Sequence, residues 1–343
     1  MPEPAAEPQP PTPQAAGGPD YDGPLATLAD FQAAAERIRA VALQTPLLAL
    51  GDGRWVKPEC LQPTGSFKIR GAYNALAQLS ATELERGVVT HSSGNHAQAI
   101  ARAARLVGTR AVVVMPANAP AAKVDGVRLD GAEIVFVGPH NAERVERAHQ
   151  LAERDGLLLI PSADHLDVIA GGGTIGLEIV EQLAELGIAE PPVVLAPVGL
   201  GGLAAGVATA VKALAPEAHV LGVEPELAAD TRDSLAAGRR LAWPAELTAR
   251  TIADGLRGEA PTARPFAHLR AHLDGVVTVA EAEIGRAMAA LASATRLVAE
   301  PSGAVAPAAL LFRAPELPSG PVVAVVSGGN VDRAGYVELL SAG

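Results

Sequence analysis

Hydrophobic positions along this chain alternate between short β-branched runs and longer stretches with helical spacing. The short runs are apolar at successive positions, which is typical of strands that helices cover on both faces. The sequence therefore predicts an α/β fold with mainly parallel sheets. The predicted strands are 88–90, 111–115, 134–137, 157–160, 193–195, 220–223 and 322–326. The predicted helices include 96–107, 142–154, 175–186 and 281–298.

Polar or glycine-rich segments directly follow three of the predicted strands. They lie at 91–96, 199–203 and 327–330. In open α/β sheets, ligands bind beyond the carboxyl ends of the strands and at helix N-termini. We therefore expect the three segments to contribute to one shared site.

Length and charge limit the classes of partner. The 343 residues favour two domains, and the net charge of -11 argues against a nucleic-acid partner, because phosphate binding needs clustered Lys and Arg. No stretch is typical of a basic membrane-surface helix. The single cysteine, Cys60, excludes an intramolecular disulfide and a thiolate metal cluster. We expect a cytoplasmic protein that binds no membrane.

Two apolar or low-complexity segments need separate interpretation. Residues 1–24 are rich in Pro, Ala, Gly and Gln, and lack the pattern of a signal or transit peptide, so they predict a disordered leader. Residues 193–211 are long and apolar enough to resemble a membrane span. Pro197 and four glycines interrupt them, which indicates a strand, a tight turn and a helix.

One lysine lies in a setting that favours chemistry. Lys68 belongs to the segment PTGSFKIRG at 63–71, and residues 69–79 have helical spacing. Lys68 then lies in the first turn of a helix, where desolvation and the positive end of the helix dipole favour a neutral amine. A neutral amine is the form that makes a Schiff base with an aldehyde. Taken alone, the segment also fits a surface lysine beside a helix N-cap.

The glycine loop leaves two interpretations open. Residues 199–204 fit the pattern G-x-G-x-x-A, and Glu224 lies at about the distance of a ribose-binding acid, as in an NAD-binding oxidoreductase. Such a loop normally belongs to the first strand and helix of its domain, whereas several strands precede this one. The same backbone geometry also holds a single phosphate group.

Together, these segments resemble the fold type II pyridoxal-phosphate enzymes, in the branch of threonine/serine dehydratases and serine racemases. The resemblance runs from about residue 45 to residue 333, and Ile69 after the lysine favours this branch over the cysteine and threonine synthases. It implies a tryptophan-synthase-β-like fold of two open, mainly parallel sheets flanked by helices. The motifs are PTGSFKIRGA at 63–72, THSSGNHAQA at 90–99, VIAGGGTIGLEI at 168–179, PVGLGGLAAG at 197–206 and VVSGGNVD at 325–332.

The resemblance implies a cofactor site for pyridoxal 5'-phosphate. Lys68 would form the Schiff base, Phe67 would flank the cofactor, and Asn95 would meet its phenolic oxygen. Ser327 would face the pyridine nitrogen, and a hydroxyl there makes the ring a weaker electron sink than a carboxylate would. The backbone N–H groups that would hold the phosphate belong to Gly199, Leu200, Gly201, Gly202 and Leu203.

The resemblance also implies substrate contacts and a cation site. Ser93 would face Lys68 across the cofactor, where racemases need a second acid or base. Glu224, Ala228 and Asp230 match a site for Mg²⁺, Ca²⁺ or Mn²⁺, although an acidic helix start explains the carboxylates equally well. The predicted substrate residues are Ser92, Ser93, Asn95, His96 and Arg144.

The function implied is a pyridoxal-phosphate-dependent ammonia-lyase that converts L-threonine or L-serine to a 2-keto acid and ammonia. An amino-acid racemase is the first alternative, because of Ser93, and the NAD-dependent oxidoreductase is a distant second. We expect a homodimer or a higher homo-oligomer. The predicted domains are a large one at 25–86 and 164–343 and a small one at 87–163.

The sequence departs from the family pattern at four positions that bear on the substrate. Gly258 stands where serine racemases usually have serine, and Ala163 where they have asparagine. Leu200 interrupts the usual glycine run, and Gly172 replaces a common glutamine. These residues predict a less polar pocket than a dedicated serine pocket, which suits threonine or a bulkier β-hydroxy amino acid.

Overall fold

Two sheets of mainly parallel strands organise the chain. The computed structural model describes residues 14–92, 94–119, 121–138 and 141–342. The strands are β1 (Gln14–Ala15), β2 (Leu48–Gly51), β3 (Arg54–Pro58), β4 (Val88–His91), β5 (Ala111–Pro116), β6 (Glu133–Val137), β7 (Leu158–Leu159), β8 (Val193–Pro197), β9 (His219–Pro225), β10 (Leu241–Ala242), β11 (Gly275–Val279) and β12 (Val322–Val326). The helices are α1 (Leu28–Ile38), α2 (Lys68–Leu76), α3 (Ala81–Arg86), α4 (Asn95–Val107), α5 (Ala121–Leu129), α6 (Asn141–Asp155), α7 (Leu166–Glu185), α8 (Gly202–Leu214), α9 (Asp230–Ala237), α10 (Ala245–Thr248), α11 (Ala263–His272), α12 (Glu281–Thr295), α13 (Pro301–Phe312) and α14 (Arg333–Ala342).

Within the described part of the chain, the larger sheet has the strand order β11-β9-β8-β12-β3-β2. Its neighbouring strands are parallel except for the antiparallel pair of β2 and β3. The smaller sheet has the order β6-β5-β4-β7 and is parallel throughout. The predicted α/β fold with two mainly parallel sheets is confirmed.

Each predicted strand has a counterpart in the structure, and three further strands of the larger sheet were not predicted. Strands β2 and β3 form the antiparallel end of that sheet, and β3 carries Arg54 and Lys57 among its apolar residues. Strand β11 is an edge strand with partly exposed side chains. The strands of the smaller sheet all lie within the predicted small domain at 87–163, but the domain boundaries themselves stay predictions.

Helices α2, α7 and α8 approach one another closely because glycines lie at their contacts. A Cβ atom on Gly206 of α8 would lie 2.4 Å from the carbonyl oxygen of Ile169 in α7. A Cβ atom on Gly171 of α7 would lie 2.5 Å from the carbonyl oxygen of Arg70 in α2. Carbon and oxygen atoms that are not bonded do not come this close, so a larger residue at either position would force the helices apart.

A group of buried charges joins α2 to α7 and to β3. Arg70 is 1% exposed and pairs with Glu59 at 2.7 Å and with Glu178 at 2.5 Å. Lys57 of β3 pairs with the same Glu178 at 2.6 Å. Burial alone would raise the pKa of Glu59, but the charges of Arg70 and Lys57 lower it below the usual value. The ion pairs therefore link the four side chains, and each fixes the position of the others.

The segment before α1 differs in part from the predicted disordered leader. Residues 1–13 lie outside the described residues. From Gln14 onwards the chain contacts the body of the protein, because β1 pairs with β10 and Arg240 donates to the carbonyl oxygens of Gly18 at 2.9 Å and Pro19 at 2.8 Å. Composition does not reveal a contact with one distant arginine. Among the described helices, none combines the length and the apolar character needed to span a membrane.

Candidate active site

Lys68 is the first residue of α2, as the sequence predicts. The turn before it is attached to the end of β12, since the backbone N–H of Phe67 donates to the carbonyl oxygen of Ser327 at 3.0 Å. Ser66 also forms an antiparallel bridge with Gly328. These contacts hold the lysine beside the Ser327 segment, which is 259 residues later in the sequence than Lys68 (327 − 68).

The amine of Lys68 lies in a setting unlike that of the other lysines. Lys57, Lys123 and Lys212 each pair with a carboxylate within 3 Å. The Nζ atom of Lys68 instead donates to the carbonyl oxygen of Ser162 at 2.8 Å and lies 5.0 Å from the centre of the Phe67 ring. Burial lowers the pKa of Lys68 to about 8. About a tenth of this amine is therefore uncharged at pH 7, far more than for a lysine with an ordinary pKa.

The glycine loop leads into a helix start that lies next to Lys68. Helix α8 begins at Gly202, and Gly201 before it has a φ angle of 92°, which favours glycine. The first N–H groups of a helix have no partner within the helix, and they point outward at its positive end. Lys68, Ser327 and the whole loop 199–203 line one cavity. The structure thus brings together the predicted phosphate cradle and the predicted reactive lysine.

Ser327 follows β12 and is 5% exposed. Its Oγ atom donates to the carbonyl oxygen of Ser302 at 3.3 Å, and its side chain lines the cavity that also holds Lys68. This position provides a neutral hydroxyl group, not a carboxylate, to any ring that lies there.

The predicted substrate residues approach Lys68 from the smaller sheet. Ser92 and Asn95, at the end of β4 and the start of α4, line the cleft together with Lys68, and so does Arg144 of α6. Ser93 lies outside the described residues, so its predicted place across from Lys68 stays a prediction.

His96 is 2% exposed, and its Nε2 atom lies 3.3 Å from the carbonyl oxygen of Ile160. The pKa of His96 is lowered to about 3, mainly because the ring is buried and to a smaller extent because Lys68 is a nearby positive charge. His96 is therefore neutral at ordinary pH. The one N–H group of the neutral ring faces the carbonyl oxygen of Ile160, so Nδ1 can only accept a hydrogen bond, and the ring brings no positive charge for a substrate carboxylate.

Besides Ser162, five residues with polar side chains that line the cleft were not predicted as site residues from the sequence. Glu300 accepts a hydrogen bond from Nδ2 of Asn95, and Lys123 pairs with Asp254 at 2.5 Å. A sequence signal for Glu300 existed in the Glu-Pro pair that starts α13, since proline favours the first turn of a helix. That signal identifies a helix start but no ligand. The five residues are His91, Lys123, Asp254, Glu300 and Ser302.

The predicted cation site is a buried pair of carboxyl groups. Glu224 accepts backbone hydrogen bonds from Thr231 at 3.0 Å and from Arg232 at 2.9 Å. Asp230 is 1% exposed, and its Oδ2 atom has no hydrogen-bond partner among the described residues. Burial first, and then the charge of Glu224, raises the pKa of Asp230 well above its usual value. Two buried carboxyl groups with an unpartnered oxygen fit a hard divalent cation.

The contacts of Glu224 argue against the dinucleotide interpretation of the glycine loop. Both carboxylate oxygens accept N–H groups at the start of α9. The side chain is fully buried and is not part of the cavity lined by the loop and Lys68. A ribose bound at the loop would therefore not find its expected acid at Glu224.

Comparison with known proteins finds relatives that cover most of the chain. The chain is 37% identical over 322 residues to a Saccharomyces cerevisiae protein named L-threo-3-hydroxyaspartate ammonia-lyase, covering 92% of this chain and 96% of that protein. A crystal structure of a threonine deaminase from T.th. matches with a TM-score of 0.83 and 44% identity over 90% of this chain and 99% of that one. The structure of maize serine racemase matches with a TM-score of 0.85 and 34% identity over 92% of this chain and 97% of that one.

A family model described as pyridoxal-phosphate dependent enzyme matches residues 38–328. This range contains the lysine turn, the glycine loop and Ser327. The chain belongs to the family of pyridoxal-phosphate dependent enzymes.

Proposed function

We propose that this protein is an ammonia-lyase that converts L-threonine or L-serine to a 2-keto acid and ammonia, with Lys68 as its reactive lysine. One observation carries the proposal: the amine of Lys68 has its pKa lowered to about 8 and shares a cavity with a glycine loop and a helix start suited to phosphate. Bound pyridoxal phosphate supplies an electron sink for the α-carbon of the amino acid.

Lys68 holds and moves the proton in this proposal. Its uncharged amine takes the α-proton of the bound amino acid and can then pass this proton to the β-hydroxyl group, which leaves as water. Hydrolysis of the released product gives the 2-keto acid and ammonia. A base placed in this way contributes roughly 10² to 10⁴ in rate. The carbonyl oxygen of Ser162, 2.8 Å from Nζ, orients the amine without giving it a counter-charge.

The start of α4 binds the substrate carboxylate in this proposal. Ser92 and Asn95 offer donors at the positive end of the helix, where an anion is stabilised. Ser93, which we predict to contact the substrate from the same segment, lies outside the described residues. If Ser93 acts as a second acid or base, the same site would also racemise its substrate.

A second candidate substrate is L-threo-3-hydroxyaspartate, which the name of the Saccharomyces cerevisiae relative contains. The specific observation in its favour is the guanidinium of Arg144, which lines the cleft together with His91. Burial first, and then the charge of Arg144, lowers the pKa of His91 to about 4, so the guanidinium carries the positive charge there. A second carboxylate on the substrate would meet this charge.

Leu200 lines the cleft, and Gly258 lies next to its side chain. A Cβ atom on Gly258 would lie 3.0 Å from Cδ2 of Leu200. A serine at position 258 would therefore crowd a leucine at position 200, so the two departures from the family pattern suit each other. This contact supports a substrate larger or less polar than serine.

Three further assignments remain proposals. We propose that Glu224, Ala228 and Asp230 bind Mg²⁺, Ca²⁺ or Mn²⁺, on the strength of the buried, unpartnered carboxylate oxygen of Asp230. We also propose a homodimer or a higher homo-oligomer and a cytoplasmic location, which follow from the family and from the composition of the chain.

A substrate panel tests the proposed reaction. Purified enzyme with pyridoxal phosphate should form keto acid and ammonia from L-threonine or L-serine, with keto acid, ammonia and the D-enantiomer all measured. The Lys68→Ala variant should lose this turnover, whereas Lys212→Ala, which changes an ion pair outside the cleft, should keep it. Formation of the D-enantiomer without any keto acid would overturn the lyase assignment.

The same panel separates the two candidate substrates. If L-threo-3-hydroxyaspartate is the preferred substrate, Arg144→Ala should lower the kcat/KM for this substrate by about 10- to 100-fold, because a hydrogen bond to a charged group typically contributes that much. The kcat/KM for L-threonine should fall less. The matched control is Arg154→Ala on the same helix, where the arginine is exposed. An equal loss for both substrates would argue against a contact with the second carboxylate.

The lowered pKa of Lys68 predicts the pH dependence of cofactor capture. Only the uncharged amine reacts with the aldehyde, so the rate at which apoenzyme captures pyridoxal phosphate should rise about fivefold from pH 7 to pH 8, as expected for a pKa near 8. The rate should level off above about pH 9. Stopped-flow absorbance measures this rate. A rate that keeps rising tenfold per pH unit beyond pH 9 would indicate an ordinary exposed lysine.

Cation binding should stabilise the folded protein. At pH 8, a cation at 100 times its dissociation constant should add about 2.7 kcal/mol to the free energy of unfolding, and a chelator should remove this gain. Thermal denaturation of the holoenzyme with Mg²⁺, Ca²⁺ or Mn²⁺ measures the effect. Asp230→Asn should lose the response, and Asp125→Asn, at an exposed position, should retain it. An identical Tm with cation and with chelator would rule out the site.

A further inference from the structure

Glu300 is a buried carboxyl group at the cleft to which neither the sequence nor the proposed reaction gives a role. It lies directly before Pro301, the first residue of α13, and is 1% exposed. Its backbone N–H donates to the carbonyl oxygen of Gly328 at 3.1 Å, next to Ser327. Burying a carboxyl group is costly unless its oxygens have partners. The partner that the structure provides is the side chain of Asn95.

The Asn95 carboxamide is held from both ends. Its Nδ2 atom donates to Oε1 of Glu300, and its Oδ1 atom accepts from Nδ2 of Asn330 at 2.9 Å. An ionised carboxylate only accepts hydrogen bonds, and the Asn330 nitrogen only donates them. The two neighbours therefore permit one orientation of the amide. An amide nitrogen has two N–H groups, and the bond to Glu300 uses one of them.

Two further charges lie near Glu300. Asp254 and Lys123 form an ion pair that lines the same cleft, and Ser302 Oγ lies 3.4 Å from Oδ1 of Asp254. Burial first, and then the charge of Asp254, raises the pKa of Glu300 to about 7, while Lys123 and the bond from Asn95 oppose the rise. A pKa near 7 would let Glu300 change its charge close to neutral pH.

We propose that Glu300 is a positioning residue for the cofactor, which acts by orienting the Asn95 carboxamide and holding a negative charge behind it. This inference rests on the proposed function and on the role that the family resemblance implies for Asn95, whose side chain would contact the phenolic oxygen of pyridoxal phosphate. When Glu300 is ionised, it fixes Nδ2 of Asn95 as a donor. When it is protonated, its own O–H group competes for a partner, and the amide loses this constraint.

The visible absorbance of the holoenzyme reports on this contact, because a hydrogen bond to the phenolic oxygen alters the electronic state of the cofactor ring. The wild-type holoenzyme should show a change in its visible absorbance with a midpoint near pH 7. Glu300→Gln should abolish this change, since glutamine has the same shape but does not titrate. Glu316→Gln, at an exposed position, is the control and should retain it.

Two further variants test whether Glu300 acts through Asn95. In an Asn95→Ala background, Glu300→Gln should cause no additional change in absorbance or in the dissociation constant of pyridoxal phosphate, because coupled residues give non-additive effects. Asp254→Asn removes the neighbouring negative charge, so Glu300 should ionise more easily and the midpoint should move to lower pH. This last variant keeps the test valid if Glu300→Gln does not fold.

The possible outcomes separate the inference from the proposed function. A wild-type protein that shows no visible band with pyridoxal phosphate overturns the proposed function and the inference with it. A normal band without a transition near pH 7, or a transition that persists in Glu300→Gln, overturns the inference alone. Equal effects of Glu300→Gln with and without Asn95 also overturn it. A transition that is lost in Glu300→Gln, kept in Glu316→Gln and shifted down in Asp254→Asn supports it.

Discussion

The position of Lys68 depends on the buried charges around Arg70. Arg70 follows Lys68 by two residues and is clamped between Glu59 and Glu178, with Lys57 as the second cation. Loss of one partner from a buried pair costs about 3–5 kcal/mol, because the remaining charge is then unpaired in the interior. The first turn of α2 therefore cannot shift without breaking several of these contacts. The buried charges provide the rigidity that a reactive lysine needs, whereas a surface helix start would leave the lysine mobile.

The fold then brings the other groups to this lysine from both sheets. The larger sheet contributes the glycine loop after β8 and Ser327 after β12, and the smaller sheet contributes the start of α4 and the carbonyl oxygen of Ser162 after β7. Parallel strands place these loops at the same edge of each sheet. Lys68 lies where the two edges face each other, and this arrangement gives its amine a neutral partner while the other lysines are paired with carboxylates.

Much of this arrangement is predictable from the sequence, for identifiable reasons. Buried parallel strands have continuous apolar runs in the sequence, and these runs predict both sheets. The glycine-rich or polar turns that follow the strands predict the three loops. Strand β3 was missed because Arg54 and Lys57 interrupt its apolar pattern. Glu300 was missed because its partner Asn95 lies 205 residues away, and a single glutamate before a proline carries no local signal of that contact. The prediction of a cation site at Glu224 and Asp230 came only from the family resemblance.

The central claim is that Lys68, held by the buried charges of α2, is the residue that joins the cofactor. Borohydride reduction of the holoenzyme, followed by proteolysis and mass spectrometry of the peptides, tests this claim most directly. The visible band should disappear, and the reduced pyridoxyl group should be found on Lys68. A label on Lys57, Lys123 or Lys212, or a bound cofactor that borohydride does not fix to the protein, would contradict it.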